Sequence, residues 1–205
     1  MMIVIVDYGM GNLGSLLNML RRVGVRACVS TTVAEVAEAA KVILPGVGAF
    51  DAAMERIDTR PGLREALNTA ALERRVPVLG VCLGMQLLVD GSAEGERRGL
   101  GWIPGEARRF ESSATLKVPH MGWNVATPVA QAPLMKDVGP EPRYYFVHSY
   151  YVQVADRASS WMTTTYGVTF DAAIGSGNIM GVQFHPEKSH RFGMQLLRNF
   201  AELTC

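Results

Sequence analysis

The chain has 205 residues, 48% of them hydrophobic and 19% charged, with a net charge of +1. That composition fits a globular protein with one sizeable core, expected as a single domain over residues 1–205, and gives bulk charge no role in attracting nucleic acid or an anionic membrane. No run of about 18 apolar residues marks a membrane span, and Cys28, Cys82 and Cys205 are too few and scattered for a disulfide framework or a metal site.

In chain order, Met2 to Val6 is a continuous apolar run, the pattern of a strand buried on both faces of a parallel sheet, with no cleavable signal pattern. Leu13 to Val23 carries Leu16, Leu17 and Leu20 at helical spacing. Val25 to Val29 and Val42 to Leu44 read as strands around a short helix, Val33 to Ala39. Gly62 to Arg74 reads as one helix, and Pro77 to Val81 as the next strand. Strands alternating with helices predict an α/β fold: an open mixed, mostly parallel sheet flanked by helices, with a flavodoxin-like core and ligands at the carboxyl ends of the strands. Beyond Gly91 the apolar runs shorten. Phe110, Tyr144 to Val154, Trp161 to Tyr166 and Ile179 to Phe184 read as strands, several of them antiparallel. Asp90 to Arg98 is expected as a mobile loop, and Ser189 to Leu203 as a helix packed through Phe192, Leu196, Leu197 and Phe200.

Gly9-Met10-Gly11-Asn12-Leu13-Gly14 matches a dinucleotide fingerprint, but the confirming acid is missing: the second strand ends in Val29-Ser30-Thr31. The turn is read instead as a close backbone approach. The chemistry concentrates at Gly80-Val81-Cys82-Leu83-Gly84, where a strand turns into a helix with a cysteine at the corner. This is a thiol version of the nucleophile elbow. The glycines admit a fold-back that a β-carbon would block, the corner strains the nucleophile's backbone, and a helix beginning at Leu83 favours thiolate at Cys82. A base is available near the C-terminus, where a short strand runs into His185-Pro186-Glu187. Pro186 holds His185 extended, and Cys82, His185 and Glu187 make a nucleophile, base and orienting carboxylate. His120, His148 and His190 are weaker candidates for the base, His190 being read as a cap of the last helix. The Pro45-Gly46-Val47-Gly48 turn is a candidate source of a second oxyanion donor beside the N–H of Leu83.

Gly80 to Gln86 and Gln183 to Glu187 resemble the two signatures of class I (triad) glutamine amidotransferases. Asp7 to Leu13, Leu44 to Phe50, Pro119 to Asn124, Tyr145 to Tyr151 and His185 to Ser189 narrow the likeness to the glutaminase subunits of imidazole glycerol phosphate synthases. The resemblance implies L-glutamine as substrate, no metal and no cofactor. It implies glutamine binding at Gln86, Ser149 and Tyr150, and oxyanion stabilisation at Gly46, Val47, Gly48 and Leu83. It also implies a cytoplasmic heterodimer with a (β/α)8-barrel cyclase subunit that takes up the ammonia, docked through Asn12, Met121, Trp123, Tyr145 and Lys188. Glutaminases serving other synthases share the elbow, and the Trp123 and His148 motifs argue against them. Thiol peptidases and deglycases of related topology carry His directly after the nucleophile, where this chain has Leu83.

Overall fold

The computed structural model describes residues 2–114 and 116–204. The apolar run Ile3–Val6 forms β1, buried along its whole length. Its alternate residues feed two separate cores, Val4 and Val6 on one face of the sheet, Ile3 and Ile5 on the other. β1 is flanked in parallel by β2 (Ala27–Ser30) and β3 (Lys41–Gly46), and β3 by β4 (Val78–Cys82). Helices α1 (Leu13–Arg22) and α2 (Val33–Glu38) make the crossovers. So far the chain follows its predicted alternation.

Two differences appear before β4. Phe50–Thr59 is a helix, α3, absent from the sequence reading, although Phe50, Ala53, Met54 and Ile57 bury one face at helical spacing. The predicted helix from Gly62 to Arg74 is interrupted: α4 (Leu63–Asn68) gives way to a π-helical turn at Thr69–Glu73. After β4 comes α5 (Leu83–Leu87), with Cys82 as its N-cap.

The second half supplies antiparallel pieces. β5 (Gly91–Ser92) and β6 (Gly105–Arg109) form a small sheet with β10 (Tyr150–Val154). β7 (His120–Val125) and β9 (Arg143–His148) form a two-stranded sheet, which places His120 opposite His148 and Trp123 opposite Tyr145. The predicted single strand from Tyr144 to Val154 is therefore two strands in different sheets, broken at Ser149. β8 (Thr127–Pro128), β11 (Ser160–Tyr166), β12 (Val168–Ser176) and β13 (Ile179–Val182) complete the main sheet in the order β2-β1-β3-β4-β13-β12-β11-β8. β13 lies parallel to β4, and the strands beyond it are antiparallel. β1, β3, β4 and β13 share a direction, so Asp7–Asn12, Val47–Ala49, the Cys82 elbow and Gln183–Glu187 all leave the same edge. α6 (His190–Glu202) closes the chain against the sheet through Leu196, Leu197 and Phe200. Buried Lys41 donates to the last carbonyls of α6, at Phe200 and Ala201.

Asp90 to Arg98, expected to be mobile, is tied down instead. The Asp51 carboxylate accepts the backbone N–H groups of Glu96 and Arg97, and Glu94 accepts that of Phe50. Asp90 accepts from Gly105, and Ala93 donates to the Ala107 carbonyl. The glycine and charge content that suggested a free loop belongs to a segment held by carboxylate-to-backbone bonds.

Candidate active site

Cys82 sits at φ 56°, ψ −111°, a region costly for any residue with a β-carbon, on the order of 1–3 kcal/mol. The surrounding glycines explain why the chain reaches it. A β-carbon on Gly80 would lie 2.5 Å from the Gly84 carbonyl oxygen, and one on Gly84 would overlap the Leu44 carbonyl. One on Gly46 would meet Gly84 N at 2.8 Å. β3, β4 and α5 thus close on one another with no side chain between them. The elbow presents Cys82 Sγ 4.0 Å from the Val147 carbonyl oxygen and 3.8 Å from Gln183 Nε2.

The His185 turn is built from hydrogen bonds. His185 is extended at φ −100°, ψ 98° ahead of a 3₁₀ turn at Pro186–Lys188. Its N–H donates to the Tyr145 carbonyl at 2.9 Å. The Ser189 hydroxyl donates to the His185 carbonyl at 2.6 Å and accepts the Tyr145 N–H at 3.0 Å. The imidazole Nδ1 lies 2.9 Å from Glu187 Oε1, with both side chains almost wholly buried. A carboxylate accepts, so Nδ1 carries the proton and Nε2 is left to work on the thiol side. Among the described residues, Nε2 and Glu187 Oε2 find no hydrogen-bond partner. Burial opposes charge on this imidazole, but Cys82 and Glu187 together outweigh it and raise the pKa to about 10.

Cys82 and His185 open into a pocket of about 370 Å³. Of the predicted substrate residues, Val47, Gly48, Leu83, Gln86, Ser149 and Tyr150 line it. Gly46 is not among the lining residues; it is the last residue of β3, buried against the elbow. Gly48 has φ 101°, accessible to glycine at no steric cost. Gln86 lines the pocket, yet its Nε2 is engaged by the Tyr150 carbonyl and Gln183 Oε1, each at 3.1 Å.

Sequence reasoning passed over four contributors. Gln183, quoted only as part of a motif, is fully buried between Gln86 and Cys82. Glu94 brings a carboxylate to the pocket wall from the supposedly mobile loop, Val147 supplies the carbonyl beside Sγ, and Ser189 latches the base to β9. Gln183, Val147 and Ser189 each lie inside a stretch that carries the family resemblance; Glu94 had no such signal.

The residues expected at a docking face divide. Met121 and Trp123 are exposed, Trp123 stacks on His190 at 5.4 Å, and Lys188 Nζ lies 5.5 Å from the Tyr145 ring centroid. Asn12 is exposed at the start of α1, a helix that neighbours the Pro186–Lys188 turn. His190, read as a helix cap, makes no capping bond: it is the first residue of α6, at φ 46°, and its ring lies flat on Trp123. In the loop after β1, a β-carbon on Gly11 would meet Pro45 Cβ at 2.9 Å, the close approach expected there.

The family model described as glutamine amidotransferase class-I matches residues 4–203. The HisH 2 subunit of imidazole glycerol phosphate synthase from Pseudomonas aeruginosa is 48% identical over 203 residues, covering 99% of this chain and 100% of that protein. The HisH subunit from Bdellovibrio bacteriovorus is 46% identical, covering 98% and 100%. Among solved structures, a chain of PurLQS from Thermotoga maritima superposes with a TM-score of 0.74 at 18% identity, covering 97% of this chain and 96% of that one. A glutamine amidotransferase from the same organism gives 0.63 at 19%, covering 96% and 80%. At such identities the likeness is one of fold. Matched almost end to end in sequence, and carrying a buried Cys-His-Glu arrangement on that fold, the chain belongs to the class I glutamine amidotransferase family.

Proposed function

We propose that this chain, as a single domain over 1–205, is the glutaminase subunit of an imidazole glycerol phosphate synthase in histidine biosynthesis, working in the cytoplasm beside a (β/α)8-barrel cyclase subunit. The observation that carries the reading is the strained Cys82 facing the buried His185–Glu187 pair across the pocket. Near full-length homology to HisH subunits supports the choice of synthase.

The Cys82 thiolate attacks the side-chain carbonyl carbon of glutamine, and the C=O electron pair moves to oxygen. Leu83 and the Val47–Gly48 turn line the pocket, and their backbone N–H groups are the donors assigned to the developing charge. His185 gives its Nε2 proton to the amide nitrogen, the C–N bond breaks, and ammonia leaves a thioester. Water then attacks, passing a proton to His185, and the C–S bond breaks to give glutamate and restore the thiolate. Glu187 keeps Nδ1 protonated throughout. Glu94 provides a carboxylate suited to the substrate ammonium group.

Ammonia released into water is protonated and lost as a nucleophile, so direct transfer needs a partner at the pocket mouth. Exposed Met121, Trp123 and Lys188 and half-buried Tyr145 form one surface beside the triad turn, and its aromatic and methionine content is that of an interface centre. The test is glutamine turnover by the chain alone and with the loaded cyclase, alongside Cys82→Ala. Stimulation by the cyclase, with ammonia-dependent synthesis retained and glutamine-dependent synthesis lost in the variant, is expected. Glutamine turnover by the variant would refute the assignment.

A further inference from the structure

At the pocket wall, outside the triad, two imidazoles are buried against each other. His120 on β7 and His148 on β9 are register partners, with His120 Nδ1 3.0 Å from His148 Nε2. The rings sit among Phe110, Phe146, Tyr166 and Phe170, His120 stacked on Phe146 at 4.8 Å and on Tyr166 at 4.1 Å. Burial lowers the His120 pKa to about 4. For His148, burial together with His120 and His185 outweighs the Tyr150 carbonyl and lowers it to about 3.

The partners dictate the tautomers. His148 Nδ1 lies 2.7 Å from the Tyr150 carbonyl oxygen, which only accepts, so that nitrogen carries the hydrogen. The neutral ring then has Nε2 as acceptor, and His120 Nδ1 must donate to it. His120 Nε2, an acceptor in turn, faces Asn124 Nδ2 at 3.4 Å. The donors therefore run one way: Asn124 to His120 to His148 to Tyr150. The Tyr150 carbonyl also takes Gln86 Nε2, and the bonds continue through Gln183 to Cys82 Sγ. His148, Ser149, Tyr150 and Gln86 all line the pocket.

We propose that His120 and His148 are positioning residues for amide hydrolysis: a pair of Nδ1–H tautomers that holds the Tyr150 carbonyl, and with it the Ser149–Tyr150 turn and Gln86, where the substrate is seated. The kinetic part rests on the glutamine reading above; the tautomer part does not. The pair also ties substrate seating to β7, the strand that carries exposed Met121 and Trp123.

Two measurements decide it. Long-range ¹H–¹⁵N spectra of the imidazoles in the wild-type chain at pH 7 should show both His120 and His148 neutral and protonated at Nδ1; an Nε2–H tautomer or an imidazolium at either overturns the proposal, whatever the substrate. The second is glutamine kinetics of the complex with the loaded cyclase. His148→Gln, which cannot place a donor where Nδ1–H was, should raise the glutamine KM about tenfold or more while kcat changes by under about threefold. His148→Asn, whose amide reaches the Nδ1 position, should restore KM to within about threefold of wild type. The rate of Cys82 alkylation by iodoacetamide should stay the same in both. Equal KM values in both variants, or loss of thermal stability with unchanged KM, would make the pair a structural element only. A wild-type complex without glutamine turnover would sink the functional reading and leave the tautomers to the spectra.

Discussion

At the Cys82 elbow the chain is held by exclusion: β3, β4 and α5 meet backbone to backbone, and glycines stand wherever a β-carbon would collide. At the His185 turn it is held by attraction, through Ser189, the Tyr145 backbone and Glu187, in unstrained geometry. The two halves of one active site thus fail differently. Steric positioning is all or nothing and is lost with the fold, whereas hydrogen-bonded positioning degrades by degrees and leaves a folded, slower enzyme.

The largest expected effect follows from the elbow. Gly84→Ala drives a methyl group into the Leu44 carbonyl, backbone that cannot move without displacing β3. It should cost about 3 kcal/mol or more and appear as lost soluble yield or a steep drop in melting temperature. Gly14→Ala is the control. No atom of the described residues lies within 4 Å of the added carbon, and the position is inside α1, so it should stabilise by about 0.5–1 kcal/mol. A melting temperature for Gly84→Ala within a few degrees of wild type would end the steric account.

Next comes the turn. His185→Ala, in the complex with the cyclase, should lower glutamine turnover by on the order of 10⁴-fold or more, since it removes the pocket imidazole that is paired with a carboxylate. Glu187→Gln should be milder by about 10–100-fold, because it orients the ring and moves no proton. It should also lower the His185 pKa from about 10, having removed one of the two groups that raise it. Equal losses in two folded variants would make Glu187 a participant in proton transfer.

This contrast also explains what was legible in the sequence. Glycine spacing around Cys82 and the His-Pro-Glu run are local, so the elbow, the triad and the parallel half of the sheet could be read directly. Gln183 carries a pattern but no hint of its partners, and Glu94 sat in a segment whose composition suggested a free loop. The His120–His148 pair depends on the register of β7 on β9 across 28 residues of sequence, and nothing in either strand announces it. α3 was missed although its apolar spacing is regular; no capping side chain marks its start at Ala49.

The histidines divide the pH dependence of stability. His148, lowered to about 3, contributes stability that is present above pH 6.5 and lost as the pH falls, about 3 kcal/mol by pH 4. His120, lowered to about 4, acts in the same sense. His185, raised to about 10, contributes in the opposite sense: its share is complete below pH 6.5 and is lost as pH rises toward 10. Denaturant midpoints of the isolated chain should therefore fall on both sides of neutrality. His148→Gln should flatten the acid limb and Cys82→Ala the alkaline limb. An alkaline limb untouched by Cys82→Ala would mean that the sulfur does not support the imidazolium.

The smallest effect reports the strain itself. At most buried positions alanine is more stabilising than glycine by about 0.5–1 kcal/mol, because glycine has more freedom to lose on folding. At Cys82, with φ 56° and ψ −111°, the β-carbon is the source of the cost. Cys82→Ala keeps that carbon and its strain, whereas Cys82→Gly discards both, and neither retains the sulfur contacts. The order should invert, with the glycine variant more stable than the alanine variant by about 1 kcal/mol. Urea midpoints of the two variants at pH 7 measure the difference with the thiol absent from both. If alanine proves equal or better, the elbow is relaxed in solution, and the nucleophile owes its position to packing around it rather than to a strained backbone.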